Sequence, residues 1–104
     1  MPFDQSWVNE FQSHPNQLIV DVRTQEEYQE GHISGALWLP INQLVRGHLL
    51  TFLQQQLVVG VYCAHGVRSW HATQYLRHHH VEVIDLGGIV DYLGELVANE
   101  NEPE

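Results

Sequence analysis

Short apolar runs alternate with longer polar or amphipathic segments along this chain. The runs cover residues 17–22, 36–39, 57–62 and 81–85, and they are rich in valine, isoleucine and leucine. Runs of this length and composition are typical of strands that are buried on both faces. We therefore predict strands at these four places, with residues 57–62 as the central strand.

The segments between the runs carry the spacing and the end signals of helices. Thr24 and Glu27 have the spacing of a capping box, which predicts the start of a short helix. Asn42 is a candidate N-cap of a further helix, and the glycine pair at residues 87–88 predicts a turn. The remaining helices are expected at residues 6–13, in the stretch up to residue 56, from residue 67 to about 79, and from 89 to 97.

The order of these elements predicts an α/β fold. Strands separated by helices favour a mostly parallel central sheet, here of about five strands, with helices on both faces. The 104 residues suit one domain, which we expect to span residues 1–98, followed by an acidic, disordered tail at residues 99–104. Ligands bind outside the carboxyl ends of the strands in such sheets, so functional residues are expected there.

The charge balance restricts the class of partner. The formal net charge is -9, and the four basic residues are all arginines. Nucleic acid is not expected as a partner, because binding it requires basic side chains. No stretch approaches the roughly 20 apolar residues of a membrane span, so no membrane partner is expected. The start of the chain shows no secretory leader, and a single cysteine excludes an intramolecular disulfide; both features favour a cytoplasmic protein.

Three consecutive histidines at residues 78–80 raise the question of a metal site. Adjacent positions on a helix do not share one face, and histidines are also favourable near a helix C-terminus without any metal. We expect no metal and no other cofactor. The oligomeric state is left open.

The only cysteine, Cys63, lies where the predicted strand 57–62 meets the predicted helix that begins at residue 67. Backbone N–H groups at such a junction point into the loop, and the helix dipole favours an anion there. This environment favours the thiolate, which is the nucleophilic form of cysteine. A buried structural thiol is the alternative.

Three segments, in this order, resemble the rhodanese domain family. The resemblance covers residues 3 to 97 approximately, and it implies sulfur-transfer chemistry on the loop cysteine. That cysteine takes a sulfane sulfur from a donor, such as thiosulfate or a protein persulfide, and then passes it to a thiophilic acceptor, such as cyanide, a thiol or a partner protein. The segments are LIVDVR at 18–23, EGHISGA at 30–36 and YCAHGVRS at 62–69, followed by LGG at 86–88.

The resemblance also implies roles for individual residues. Cys63 is expected to be the nucleophile and the covalent sulfur carrier, and Arg68 is expected to hold an anionic donor by charge-assisted hydrogen bonds. Supporting roles through hydrogen bonds are expected for Asp21, Arg23 and His32. The substrate-binding residues are those of the loop, whose amides would surround the persulfide: Ala64, His65, Gly66, Val67, Arg68 and Ser69.

The length of the loop separates two chemistries of this fold. Four residues lie between Cys63 and Arg68, whereas phosphatase and arsenate-reductase relatives have five. The shorter loop is expected to suit a single sulfur atom rather than a phosphate. Ala64 stands where some thiosulfate-using members carry a basic residue, which weakens the expectation that thiosulfate is the natural donor. A relay module that docks or accepts sulfur from a protein partner therefore stays open beside the enzyme.

Two further residues near the loop have open roles. His65 is either an exposed loop histidine or an acid that assists the chemistry. Trp70 is expected in the core, with the rim of an apolar pocket as the alternative.

Overall fold

The computed structural model describes residues 2–98, in which four strands form one sheet. Strands β1 (Gln17–Asp21), β2 (Leu37–Trp38), β3 (Val58–Cys63) and β4 (Val83–Gly88) lie in the order β2-β1-β3-β4. Every pairing in this sheet is parallel. The predicted α/β class is confirmed. The described chain has four strands rather than the predicted five or so. Each of the four apolar runs forms one of these strands.

The helices connect the strands much as the polar segments predict. The predicted capping box is present: the Glu27 amide donates to Thr24 Oγ1 at 3.2 Å, and the Thr24 amide donates to Glu27 Oε1 at 2.9 Å. The predicted N-cap at Asn42 is wrong, because Pro40, with extended backbone, turns the chain into that helix before Asn42 is reached. The helices are α1 (Gln5–Gln12), α2 (Gln25–Glu30), α3 (Ile41–Leu44), α4 (Leu50–Gln54) and α5 (Val67–His78), followed by a 3-10 turn (Ile89–Asp91).

The two faces of the sheet carry two separate hydrophobic clusters. On one face, Val20, Val61 and Cys63 pack with side chains of α3, α4 and α5. On the other face, Ile19 and Tyr62 pack with α1 and with the chain after β4. Successive side chains of a strand point to opposite faces, so Cys63 belongs to the cluster on the α5 side.

The glycine pair after the last apolar run is part of β4. The predicted turn is therefore wrong, since Gly87 pairs with Tyr62 and Gly88 pairs with Cys63. A register shift between Val61 and Tyr62 accommodates this pairing. The strand also begins two residues later than predicted and continues to the level of the cysteine.

The predicted helix at residues 89–97 is wrong. Only Ile89–Asp91 is helical, as a single 3-10 turn. Further on, Leu93 forms a bridge with the segment before α1, and Val97 exchanges two backbone hydrogen bonds with His32 at 2.8 and 2.9 Å. These long-range partners satisfy backbone groups that a helix would satisfy internally.

With 12 residues, α5 is the longest helix of the described chain. A membrane span needs about 20 residues, and none of the helices between residues 2 and 98 is long and apolar enough to cross a membrane. The acidic segment 99–104, predicted to be a disordered tail, lies outside the described residues.

Candidate active site

Cys63 is the last residue of β3 and lies at the entrance to α5. Its side chain is free and only 1% exposed. Gly66 is the N-cap of α5 and has a φ of 108°, a conformation that favours glycine because it has no Cβ. This glycine lets the chain reverse within three residues, so that the start of α5 lies over the sulfur.

Two backbone amides converge on the sulfur of Cys63. The amide of Gly66 donates to Sγ at 3.0 Å, and the amide of Ser69 donates at 3.2 Å. The Ser69 hydroxyl donates to the Gly66 carbonyl at 3.1 Å, and the Thr73 hydroxyl donates to the Ser69 carbonyl at 2.7 Å. Successive amides at a helix N-terminus stabilise negative charge. The geometry therefore offers two hydrogen-bond donors to a negative charge on this sulfur.

Gly88 forms the wall against which the loop rests. A Cβ at this position would lie 2.6 Å from the Ala64 carbonyl oxygen and 2.7 Å from the Cα of His65. Val90 continues the contact, because its amide donates to the same Ala64 carbonyl at 3.3 Å. Sequence reasoning missed this role, although the glycine pair directly after the last apolar run was a signal for it.

The Arg68 guanidinium is paired with the Glu27 carboxylate of α2. Its two terminal nitrogens donate to the two carboxylate oxygens at 2.8 and 3.0 Å. The hydrogen bonds from Arg68 lower the pKa of Glu27 from 4.5 to about 2, although burial acts in the opposite direction. The same pairing raises the pKa of Arg68. The hydrogen bonds of Arg68 thus go to Glu27, which sequence reasoning assigned only to the capping box.

The three predicted supporting residues form a second layer beside the loop. Asp21 and Arg23 are 0% and 6% exposed and form an ion pair of 2.8 Å, and Arg23 also donates to the Gly31 carbonyl at 2.6 Å. His32 is stacked on Tyr28, and its Nδ1 lies 2.7 Å from the Tyr28 carbonyl, which accepts its proton. Among the described residues, the hydrogen bonds of these three side chains bind other elements together and do not reach Cys63.

The remaining loop residues line the outside of the site. His65 is exposed and Ala64 is half-buried, while Val67 is 67% exposed. Trp70, one turn further along α5, is 54% exposed, so the prediction that it lies in the core is wrong. It lies on the open face of α5, because Ala72 and Thr73 occupy the face that is turned to the sheet.

Neither a metal cluster nor the open cleft beside α1 involves this loop in the described part of the chain. Within residues 2–98, no group of three or more histidine, cysteine or acidic side chains is arranged to hold a metal ion. An open cleft of about 550 Å³ contains none of the loop residues. It lies between α1 and the chain after β4, and its lining residues are Gln5, Asn9, Ser34, Gly94, Glu95 and Val97.

Comparison with curated proteins finds relatives that are much longer than this chain. A tRNA uridine(34) hydroxylase of Prochlorococcus marinus is 34% identical over 107 residues, which cover 89% of this chain and 32% of the relative. A probable molybdopterin-synthase adenylyltransferase of Porphyra purpurea is 31% identical over 83 residues, which cover 80% of this chain and 22% of the relative. The chain therefore spans less than a third of the length of these two proteins.

Solved structures match most of this chain. A rhodanese-like domain protein of Staphylococcus aureus superposes with a TM-score of 0.75 at 27% identity, covering 94% of this chain and 97% of that one. A rhodanese with anions from E. coli superposes with a TM-score of 0.70 at 28% identity, covering 80% and 99%. The sequence profile of the rhodanese-like domain matches residues 4–95. This chain belongs to the rhodanese-like domain family.

Proposed function

We propose that this protein is a sulfurtransferase that carries a sulfane sulfur on Cys63 as a persulfide. The observation that carries the proposal is the convergence of the Gly66 and Ser69 amides on the Cys63 sulfur at the N-terminus of α5. Membership of the rhodanese-like family supports sulfur transfer as the class of chemistry. The proposal includes a single domain of residues 1–98 and a cytoplasmic location, and it requires no cofactor.

The proposed cycle has two transfers. In the first, the Cys63 thiolate attacks the outer sulfur of a donor R–S–SH, which forms Cys63–S–SH and releases R–S⁻. The new persulfide then gives its proton to the released R–S⁻. In the second transfer, cyanide attacks the outer sulfur of the Cys63 persulfide anion, which yields thiocyanate and restores the thiolate. A covalent route of this kind divides one difficult transfer into two easier ones.

The loop residues have distinct parts in this cycle. Residues 64–69 supply the backbone amides that surround the persulfide, and the hydrogen bonds of Gly66 and Ser69 mark where its charge is stabilised. Arg68 brings a positive charge to the end of the loop, and the carboxylate of Glu27 offsets it. Asp21, Arg23 and His32 act as positioning residues, because they brace the segments next to the loop.

The small size of the loop favours sulfur over phosphate. Four residues separate Cys63 from Arg68. The amide of Gly66, within this span, and that of Ser69, directly after Arg68, already contact the sulfur itself. A bound tetrahedral oxyanion would need the amides to stand further from the cysteine. Phosphatase chemistry is therefore the weaker proposal.

A relay module that exchanges sulfur with a protein partner is the second candidate. Val67 and Trp70 are both more than half exposed, on the first turn of α5 beside the buried sulfur. Exposed apolar side chains next to a reactive group are typical of a surface that contacts another protein. The partner in this proposal is a protein that carries the donor or acceptor thiol. We do not propose nucleic acid as a direct partner, because the net charge of this chain is -9.

The experiment is transfer of sulfur to cyanide, followed as thiocyanate. We expect turnover with a small alkyl persulfide, and we expect Cys63→Ser to abolish it while the variant keeps its far-UV circular dichroism. Turnover that survives in Cys63→Ser contradicts the proposal. A wild-type protein that gains sulfur but releases none to cyanide or to small thiols supports the relay module over the enzyme.

A further inference from the structure

The arginine of the catalytic loop is already occupied by an internal carboxylate. Two hydrogen bonds join Arg68 to Glu27, and both side chains remain about one third exposed. Charge-assisted pairs with this two-pronged geometry are among the stronger polar contacts in proteins. Because the pKa of Glu27 is lowered to about 2, this carboxylate is ionised at any physiological pH and always offsets the charge of Arg68.

The other three arginines of the chain are paired or lie away from the start of α5. Arg23 is buried in its ion pair with Asp21. Arg77 lies in the last turn of α5, at about 1.5 Å per residue some 14 Å along the helix from Arg68. Arg46 is the neighbour of Gly47 in the chain. A Cβ added at Gly47 would lie 3.7 Å from the hydroxyl of Tyr75, which is two turns further along α5 than Arg68. The chain has no lysine.

The charge of the donor therefore matters at this site. Thiosulfate brings two negative charges to the Cys63 thiolate, and its sulfonate leaves as sulfite. An alkyl or protein persulfide brings at most one negative charge, and that charge lies on the sulfur that is transferred. The two amides at the sulfur stabilise the transferred atom, but a sulfonate would need a further cation, and Arg68 is held by Glu27.

We infer that Glu27 is a specificity-determining residue, which withholds Arg68 from anionic donors and so selects persulfides of low charge over thiosulfate. The inference rests on the proposed sulfurtransferase function and names its donor class. For the favoured donor, the Cys63 thiolate bonds to the outer sulfur of R–S–SH, the S–S bond of the donor breaks, and R–S⁻ leaves with the electron pair. For thiosulfate, the same attack breaks the S–S bond and releases sulfite.

The test is Glu27→Gln, with Glu26→Gln as the matched control. Glutamine retains the capping box but removes the charge that holds Arg68. The control removes the same charge from the adjacent exposed residue of α2, which makes no contact with Arg68 among the described hydrogen bonds. With thiosulfate we expect kcat/KM of Glu27→Gln to rise about five- to tenfold through a lower KM. With ethyl persulfide we expect both variants to stay within about twofold of wild type.

Further measurements assign the effect to Arg68. The double variant Glu27→Gln/Arg68→Gln is expected to lose the gain with thiosulfate, because the freed guanidinium causes it. An unchanged kcat/KM for thiosulfate in Glu27→Gln, or an equal rise in Glu26→Gln, overturns the inference. If Glu27→Gln does not fold, the wild-type protein still tests the inference. A wild-type kcat/KM for thiosulfate that equals or exceeds that for ethyl persulfide overturns it. Failure of Cys63 to accept sulfur from either donor would instead refute the proposed function.

Discussion

The backbone amide of Ser69 donates a hydrogen bond to the sulfur of Cys63 across 3.2 Å, although the two residues are six positions apart in the chain. This contact, together with that of Gly66, makes the first turn of α5 part of the reactive site. The loop must keep one shape for both amides to reach the sulfur. Substitutions that bend the loop are therefore expected to affect sulfur transfer more than they affect folding.

We predict that Gly88→Ala disables the loop by steric contact. Its Cβ would meet the backbone of Ala64 and His65 at less than 3 Å, and backbone atoms have little freedom to yield. We expect a fall of about a hundredfold in turnover, since misplacement by roughly 1 Å has such effects.

The neighbouring Gly87→Ala is the control: its Cβ meets nothing within 4 Å, but its φ of 82° strains any other residue. Gly87→Ala should lose about 1–2 kcal/mol of stability and retain most of its turnover; the opposite ranking of the two turnovers contradicts the steric role of Gly88.

A second prediction concerns the left-handed backbone at Gly66, where φ is 108°. Gly66→Ala should relax this angle and withdraw the amide from the Cys63 sulfur, which lowers turnover at least about tenfold. Gly47→Ala has a similar φ of 90° and only an ordinary contact, with Tyr75, so it controls for strain alone. Thermal unfolding and thiocyanate production are measured for both variants. If Gly66→Ala and Gly47→Ala lose the same stability and keep the same turnover, the Gly66 amide has no specific role in sulfur transfer.

Cys63 and Gly88 show why the site could be predicted from the sequence only in part. Cys63 was placed correctly at a strand-to-helix junction, because an apolar run and a helix pattern are local signals. The pairing of Gly88 with Cys63 depends on a register shift at Val61 and Tyr62. Such a shift arises from the packing of two strands that are distant in sequence, and no local pattern encodes it.

A third prediction follows from the lowered pKa of Glu27. A carboxylate with a folded-state pKa of about 2 and an ordinary value of 4.5 stabilises the fold above pH 4.5, and this contribution is lost as the pH falls towards 2. Because the pair is about one third exposed, solvent reduces the effect to about 1 kcal/mol at pH 7. Glu27→Gln should therefore be less stable than wild type by this amount at pH 7, with the difference more than halved by about pH 3.

Urea titrations at several pH values measure this difference. Glu26→Gln, which changes an exposed carboxylate, is expected to show a much smaller change with pH. A Glu27→Gln deficit that stays constant from pH 7 to pH 3 would contradict the ion pair as its source.

A fourth prediction concerns two buried phenols. Tyr92 is 8% exposed, and its hydroxyl has no hydrogen-bond partner among the described residues, whereas the Tyr62 hydroxyl accepts a bond from the Ile33 amide at 3.1 Å. Removing an unpaired buried hydroxyl relieves its desolvation cost, so Tyr92→Phe should be neutral or more stable by about 1 kcal/mol. Tyr62→Phe leaves the Ile33 amide without its partner and should lose about 1–3 kcal/mol. Equal losses in the two variants, measured by chemical denaturation, would contradict this assignment.

Long-range pairing also explains two further differences between prediction and structure. Arg68 and Glu27 are 41 positions apart, and each had a sufficient local explanation, as a ligand for an anionic donor and as a capping residue. Residues 89–97 carry apolar side chains that suit a helix, but their backbone partners lie near Phe3 and His32. The capping box at Thr24, in contrast, was predicted correctly because all of its atoms lie within one turn.

The mass of the intact protein after incubation with a sulfur donor tests sulfur transfer on Cys63 most directly. We predict that the wild-type chain gains the mass of one sulfur atom from ethyl persulfide, and that cyanide removes it. Cys63→Ala should gain nothing under the same conditions. A wild-type chain that gains no cyanide-removable sulfur from any of several donors, or a Cys63→Ala chain that gains as much as wild type, would contradict Cys63 as the sulfur carrier.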